Sequence, residues 1–207
     1  MIRTGMRLLG VGAALALAAC ASAPLHYYTL VAPADESAGG LVAQSATPSL
    51  PFELLPVSIP AQVDQPQLVV REGGQGVALL GSERWIAPLS DEVRSALSAD
   101  LARELHSQDV SGLPGNDKPL LRIKLDLRRF DSQPGSYALI EAAWSVRLLR
   151  GTQPAALACT SRINESVGSG YDALVQGHQR ALGALAAQIA TAARSFGHGQ
   201  TPVCPAG

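Results

Sequence analysis

Three stretches between Leu121 and Val167 alternate apolar and polar residues with period two, and no other pattern in this 207-residue chain limits its fold so tightly. In the first, Leu121, Ile123, Leu125 and Leu127 alternate with Arg122, Lys124, Asp126 and Arg128, and the stretch runs on to Phe130. An extended strand sends the four aliphatic side chains to one face and the four charges to the other, whereas a helix would scatter both sets around its axis. Residues 132–135 turn the chain, and Ala138, Ile140, Ala142, Trp144, Val146 and Leu148 take up the same period. A second turn at 151–154 leads to Leu157, Cys159, Ser161 and Ile163, continuing into Val167. Connections this short join antiparallel neighbours. The expected product is a meander with an apolar face that must be covered and a charged face left for solvent or a partner.

Two helices are available as the cover. Val93, Leu97, Leu101 and Leu105, with Leu89 and Ala96, recur at helical spacing, and Arg94, Asp100, Arg103 and Glu104 read as lying off that stripe. Ser90 reads as the N-cap, with Asp91 and Glu92 in a first turn that favours negative charge. This helix should stop near Ser107. The second runs from about Tyr171 to Phe196 on a stripe of Leu174, Leu182, Leu185, Ile189 and Phe196, and its many alanines suit close packing on a sheet.

Ahead of the first helix, residues 25–31 read as a strand and 52–59 as a second, central one. Residues 67–71 and 77–80 flank Glu72-Gly73-Gly74-Gln75-Gly76, the strongest hairpin signal in the chain. Trp85-Ile86-Ala87-Pro88-Leu89 leads into the first helix, and 32–51 reads as a mobile loop. The expected order is ββββαβββα: an α+β domain with two amphipathic helices on one face of a mostly antiparallel sheet.

Composition narrows the function classes. Sixteen Lys and Arg against 17 Asp and Glu leave a formal charge of −1, with no cationic excess for a phosphate backbone, so no nucleic-acid partner is expected. A hydrophobic fraction of 47% argues against disorder. No apolar run reaches the roughly 20 residues a spanning helix needs.

The first residues have a different logic. Arg3 and Arg7 precede an apolar run from Leu8 to Ala19 that ends in Leu17-Ala18-Ala19-Cys20. This has the form of a bacterial lipobox: residues 1–19 would be a signal peptide, Cys20 the lipidation site, 20–24 a lipidated tether and 25–207 a single periplasmic domain. The competing reading is an ordinary signal peptide with a chance cysteine. Two or three acyl chains hold a protein stably where one is marginal. Ala21-Ser22 place no acid where enterobacterial lipoproteins carry their inner-membrane retention signal. By that likeness the expected location is the periplasmic face of the outer membrane.

Cys159 and Cys204 are then an even pair in an oxidising compartment, 45 residues apart, and a disulfide between them is expected, with two free thiols as the alternative. His26, His106, His178 and His198 lack metal-ligand spacing, so no metal is expected, and His106 and His178, near Glu104 and Asp172, read as solvated helix surface. Gly73-Gly74-Gln75-Gly76 lacks the Lys and following helix of a phosphate cradle, and no nucleophile elbow or dinucleotide fingerprint occurs. Neither a catalytic residue nor a cofactor is assigned.

Four passages carry a family resemblance: Tyr27-Tyr28-Thr29-Leu30 just past the lipobox; Pro56-Val57-Ser58-Ile59-Pro60 with Asp64-Gln65-Pro66-Gln67-Leu68-Val69-Val70-Arg71; Glu83-Arg84-Trp85-Ile86-Ala87-Pro88-Leu89; and Arg129-Phe130-Asp131 on to Trp144. In this order they resemble the PqiC-type ABC-transport auxiliary lipoproteins, over almost the whole mature chain. The resemblance implies an α+β, non-enzymatic component of an MCE-type phospholipid transport system. Its implied partners are an MCE-domain protein and inner-membrane transport components, with phospholipid as a further contact. Some members form rings, so a homo-oligomeric ring is among the implied assemblies. The expected partner surface is the hairpin and the approach to the first helix: Pro66, Arg71, Arg84, Trp85 and Pro88. For Trp85 and Pro88 the alternative is a staple of the helix entry, for Pro66 and Arg71 the shaping of a hairpin edge, and for Trp144 a place in the core. A stand-alone ligand-binding or hydrolytic lipoprotein, and an assembly factor for outer-membrane proteins, are the competing functions.

Overall fold

The computed structural model describes residues 24–33, 50–115, 117–150, 155–197 and 201–205. The expected signal peptide, Cys20, His198, residues 34–49 of the expected loop and the expected turn at 151–154 lie outside them. The elements are β1 (His26–Tyr28), β2 (Phe52–Leu54), β3 (Gln67–Gly73), β4 (Gly76–Trp85), α1 (Leu89–Leu105), β5 (Leu120–Gln133), β6 (Tyr137–Leu149), β7 (Ala155–Ser166) and α2 (Tyr171–Gly197). The order ββββαβββα and the α+β class are as the patterning predicts.

The meander is regular. β5 and β6 pair antiparallel from Leu120↔Leu149 to Gln133↔Tyr137, and β6 and β7 pair from Tyr137↔Ser166 to Leu148↔Ala155. A bulge in β5 between Leu127 and Arg129 shifts the phase by one residue. Beyond it Phe130 and Ser132 join Leu121, Ile123, Leu125 and Leu127 on the inner face, while Arg129 and Asp131 turn outward. Inner positions of all three strands, with Leu97 and Leu101 of α1 and Leu182, Leu185 and Ile189 of α2, form the main core. α2 lies across β6 and β7 and packs against α1.

The sheet departs from expectation in its connectivity. It is two sheets, ordered β1-β4-β3 and β2-β5-β6-β7, and two of its pairings are parallel: β1 with β4 and β2 with β5. Residues 52–59 are not a central strand. Only Phe52–Leu54 form one, at the edge of the larger sheet, because Pro56 has no N–H to give the ladder. The segment then follows β5 through single bonds, Leu55 N to Ile123 O at 3.0 Å and Leu127 N to Ser58 O at 2.8 Å. The exposed side of β2 is closed by a polar knot. Ser111 Oγ donates to Leu54 O at 3.0 Å, Arg94 Nη2 donates to the same carbonyl at 3.0 Å, and Ser98 donates to Asp109 at 2.7 Å. Burial alone would raise the Asp109 carboxyl, but the hydrogen bonds from Ser111 and Ser98 hold it below the usual range.

α1 begins two residues earlier than its sequence signal. Pro88 stands at the cap position without a side-chain bond, and its carbonyl already accepts from Asp91 and Glu92. Ser90 is therefore inside the first turn. His106 ends the helix in the left-handed region at φ 49°. Asp100 is not off the stripe: it is buried against α2, paired with Arg103 at 2.5 Å, and burial pushes its carboxyl up.

Candidate functional site

β4 is longer than the hairpin signal suggests, and this decides the fate of the expected contact residues. It pairs with β3 through Val69↔Leu79, Val70↔Ala78 and Arg71↔Val77, then jumps to Gln67↔Arg84. Five residues of β4 answer two of β3, so three extra residues bulge out near Gly81. The jump keeps Arg84 on the outward face with Leu79 and Val77, since their partners Gln67, Val69 and Arg71 alternate in phase. Glu83 and Trp85 turn inward.

Trp85 is thus not a surface residue. It is 6% exposed and meets Phe130 edge to face, ring centroids 6.1 Å apart at 77°. Phe130 in turn stacks on His178 of α2 at 3.8 Å and 11°. This aromatic column ties the small sheet, the large sheet and α2 together, which is why a large ring at position 85 is buried rather than offered to a partner. Of the remaining expected contacts, Pro66 and Pro88 are exposed and Arg84 is partly so. Arg71 is occupied. Its Nε donates to both oxygens of Asp131 at 2.7 and 2.9 Å.

That pair begins a ladder of charges across four strands: Arg71–Asp131–Arg129–Glu141–Arg162, with Arg129 donating to Asp131 at 2.6 Å and Arg162 bonded to Glu141. Burial would raise the Asp131 carboxyl, yet the hydrogen bonds from Arg71 and Arg129 hold it below the ordinary carboxylate range. Arg71 and Asp131, quoted in separate passages of the family resemblance, meet here.

The chain leaving the expected anchor is fastened by two buried carboxylates. Glu83 accepts from Tyr28 Oη at 2.7 Å and lies 2.9 Å from His26 Nδ1, with Ser82 Oγ at 3.2 Å. The bond from His26, then that from Tyr28, lowers the Glu83 carboxyl, while burial and the carboxylate push the Tyr28 phenol up. Glu92, in the first turn of α1, accepts from Thr29 Oγ1 and from the Leu30 amide, both at 2.8 Å. No sequence motif announces the bonds from residues 26–30 to Glu83 and Glu92, because each joins residues more than fifty positions apart.

His178 is the main site residue the sequence reading misplaced. It is 1% exposed, not solvated, and its Nε2 lies 2.8 Å from Ser132 Oγ. Its Nδ1 has no hydrogen-bond partner. The signal was available: Leu174, His178 and Leu182 stand four residues apart on the apolar stripe of α2. A Ser–His contact invites a nucleophile–base reading, but both side chains are sealed from solvent and no carboxylate orients Nδ1. Burial pushes the imidazole down to about 3, against a small opposing pull from Asp131, which makes it a poor base near neutrality. Trp144 is likewise internal, its Nε1 donating to Ser161 Oγ at 2.8 Å, which donates to Gln188 at 2.5 Å.

Cys159 and Cys204 are joined in a disulfide with Cα atoms 5.7 Å apart, fastening residues 201–205 to the free edge of β7. Beside it a shallow groove of about 520 Å³ opens on the outer face of the meander, lined by Lys124, Asp126, Arg128, Ala143, Ser145 and Thr160 among others. Among the described residues no cluster of His, Cys, Asp or Glu could hold a metal ion, and no helix is long and apolar enough to cross a membrane.

The class this describes is an α+β domain whose polar groups stitch strands together and whose open features, among the described residues, are a groove on the meander and the outward face of the small sheet. The chain belongs to the ABC-type transport auxiliary lipoprotein component family, whose model matches residues 28–190. Its fold is similar to a crystal structure of an uncharacterized protein, with TM-score 0.62 and 16% identity over 82% of this chain and 98% of that one. Weaker likenesses are to a Xanthomonas campestris protein (TM-score 0.49, 16% identity, 73% and 88% covered) and to a Caulobacter crescentus protein described as a lipoprotein (TM-score 0.38, 15% identity, 52% and 85% covered). No curated protein matches the chain.

Proposed function

We propose that this chain is a non-catalytic auxiliary subunit of an MCE-type phospholipid transport system. Acylated Cys20 anchors it to the periplasmic face of the outer membrane, where it docks the transport assembly and supports envelope integrity. Membership of the auxiliary lipoprotein family over residues 28–190 carries the reading. Two observations support it: Pro66 and Pro88 are exposed and Arg84 partly so, which leaves them open to a partner, and the one Ser–His pair described is walled in. Docking requires such open residues and no proton-transfer step.

The test is co-isolation. The lipidated chain should be recovered from the outer-membrane fraction together with an MCE-domain protein. Cys20→Ser should displace it from that fraction, and Arg84→Glu should weaken docking with an unchanged melting curve. A ring would appear as a discrete multiple of the protomer mass in light scattering. Failure to recover the MCE-domain protein, together with ester turnover lost in a folded Ser132→Ala variant, would replace this reading with the hydrolytic one.

A further inference from the structure

We propose that the outward face of the small sheet rests on the bilayer that holds the anchor. The inference depends on acylation of Cys20 as proposed above, and it adds a bilayer contact to the docking role of that reading.

Eight large apolar residues are exposed among the described residues, and six of them belong to the small sheet and its flanks: Leu25, Tyr27, Val31, Val77, Leu79 and Ile86. Tyr27, Val77, Leu79 and Ile86 are each more than half exposed. The pairings Tyr27↔Arg84↔Gln67, Leu79↔Val69 and Val77↔Arg71 put Tyr27, Leu79 and Val77 on one face, with Ile86 two residues beyond Arg84. The corresponding face of β5 carries Arg122, Lys124, Asp126 and Arg128 instead. Exposed apolar surface gathered on one small sheet, rather than scattered, marks a contact with something apolar.

The tether decides what that is. Cys20 precedes Leu25 by five residues, so a fully extended chain holds Leu25 within about 18 Å of the acylated residue and Tyr27 within about 25 Å. The strand cannot swing away from the body, because Glu83 holds His26 and Tyr28 and Glu92 holds Thr29 and Leu30. The first element after the anchor is therefore itself part of the apolar face. Arg71 spends its charge on Asp131, but Arg84 points outward and, among the described residues, has only the Gly81 carbonyl, 3.4 Å away, as its hydrogen-bond partner. Apolar side chains with a cation among them that pairs with no described carboxylate match the boundary between acyl chains and anionic headgroups. A soluble partner would have to reach this face by diffusion; the bilayer is tied to it.

The experiment uses the acylated full-length precursor product in vesicles of phosphatidylethanolamine and phosphatidylglycerol, with acylation verified by mass. Leu79→Cys and Leu113→Cys each supply one free thiol, since Cys20 is acylated and Cys159 and Cys204 are bonded; Leu113 lies outside the small sheet and serves as control. Each is labelled with an environment-sensitive fluorophore. The label at 79 should shift to the blue and lose most of its intensity to a quencher carried on the acyl chains, and the label at 113 should do neither. Equal, water-like emission from both on an acylated, vesicle-bound protein would overturn the inference and leave the docking reading standing. A blue-shifted label at 79 that lipid-borne quencher does not reach would overturn it in favour of a second copy or another protein. Absence of acyl mass would bring down the anchor and this inference with it.

Discussion

At the scale of single residues, His178 and Arg71 carry the sharpest expectations. The imidazole is about 3 in the folded protein and about 6.5 when free, so the unfolded chain takes up its proton first as pH falls. Stability from this group is complete above about 6.5 and is lost as pH drops towards 3, by about 2 kcal/mol between pH 7 and pH 5. Asp100, whose carboxyl is raised by burial, pulls the other way, so the comparison that isolates the histidine is with His178→Phe. That variant keeps the stack on Phe130 and should flatten the pH dependence of the urea midpoint over this window. Arg71→Ala should lower stability by about 1–2 kcal/mol, less than the 3–5 kcal/mol for breaking a fully buried pair, because Arg129 still neutralises Asp131. Chemical denaturation in a cycle with Asp131→Asn measures the coupling. An unchanged midpoint would return Arg71 to the contact surface, where the hairpin reading of the sequence had put it. Both residues were legible as types but not in their roles. A histidine on a stripe and an arginine in a hairpin say nothing about the aromatic ring 48 positions from the one or the carboxylate 60 positions from the other that meets them.

At the scale of elements, α2 on its sheet gives the clearest contrast. Gly177 faces Ala138 and Val167 so closely that an added Cβ would lie 2.2 Å from Val167 Cγ1 and 3.0 Å from Ala138 Cβ. Gly183 has room, with Asp100 Oδ2 the nearest atom at 3.8 Å. Alanine gains about 1 kcal/mol over glycine inside a helix, whereas overpacking costs about 1–3 kcal/mol. Gly183→Ala should therefore raise the melting temperature slightly, and Gly177→Ala should lower it. Calorimetry on the two variants decides whether helix propensity or close approach governs this interface; equal shifts would reject the close contact. The alternation of β5 to β7 and the stripes of both helices were legible because they are local: the period alone says which face is apolar. The second strand was misjudged because its place depends on which distant strand it pairs with. Pro56 marks where regular pairing ends but not on whose edge.

At the scale of the whole molecule, the disulfide closes a 45-residue separation that spans α2 and holds the tail on β7. In the chain-entropy model a loop of that length contributes about 4 kcal/mol by restricting the unfolded chain. Reductant, or Cys204→Ser, should lower the denaturation midpoint accordingly, with neither thiol free to label beforehand. Two freely labelled thiols in protein taken from the oxidising compartment would reject the bridge. The sequence alone determined the kinds of elements, their order, the buried face of each amphipathic segment and the resemblance that points to an auxiliary lipoprotein, because all of these are written in short-range periodicity and in motifs. Only the tertiary structure decided that the strands divide into two sheets with two parallel pairings. It also decided that Trp85 and His178 are internal, that Arg71 is bound to Asp131, and that most of the exposed large apolar residues among those described gather on the small sheet and its flanks. Those outcomes depend on register and on contacts between residues far apart in the chain, where a one-residue bulge at Leu127 or a three-residue bulge near Gly81 reverses which side chains reach solvent.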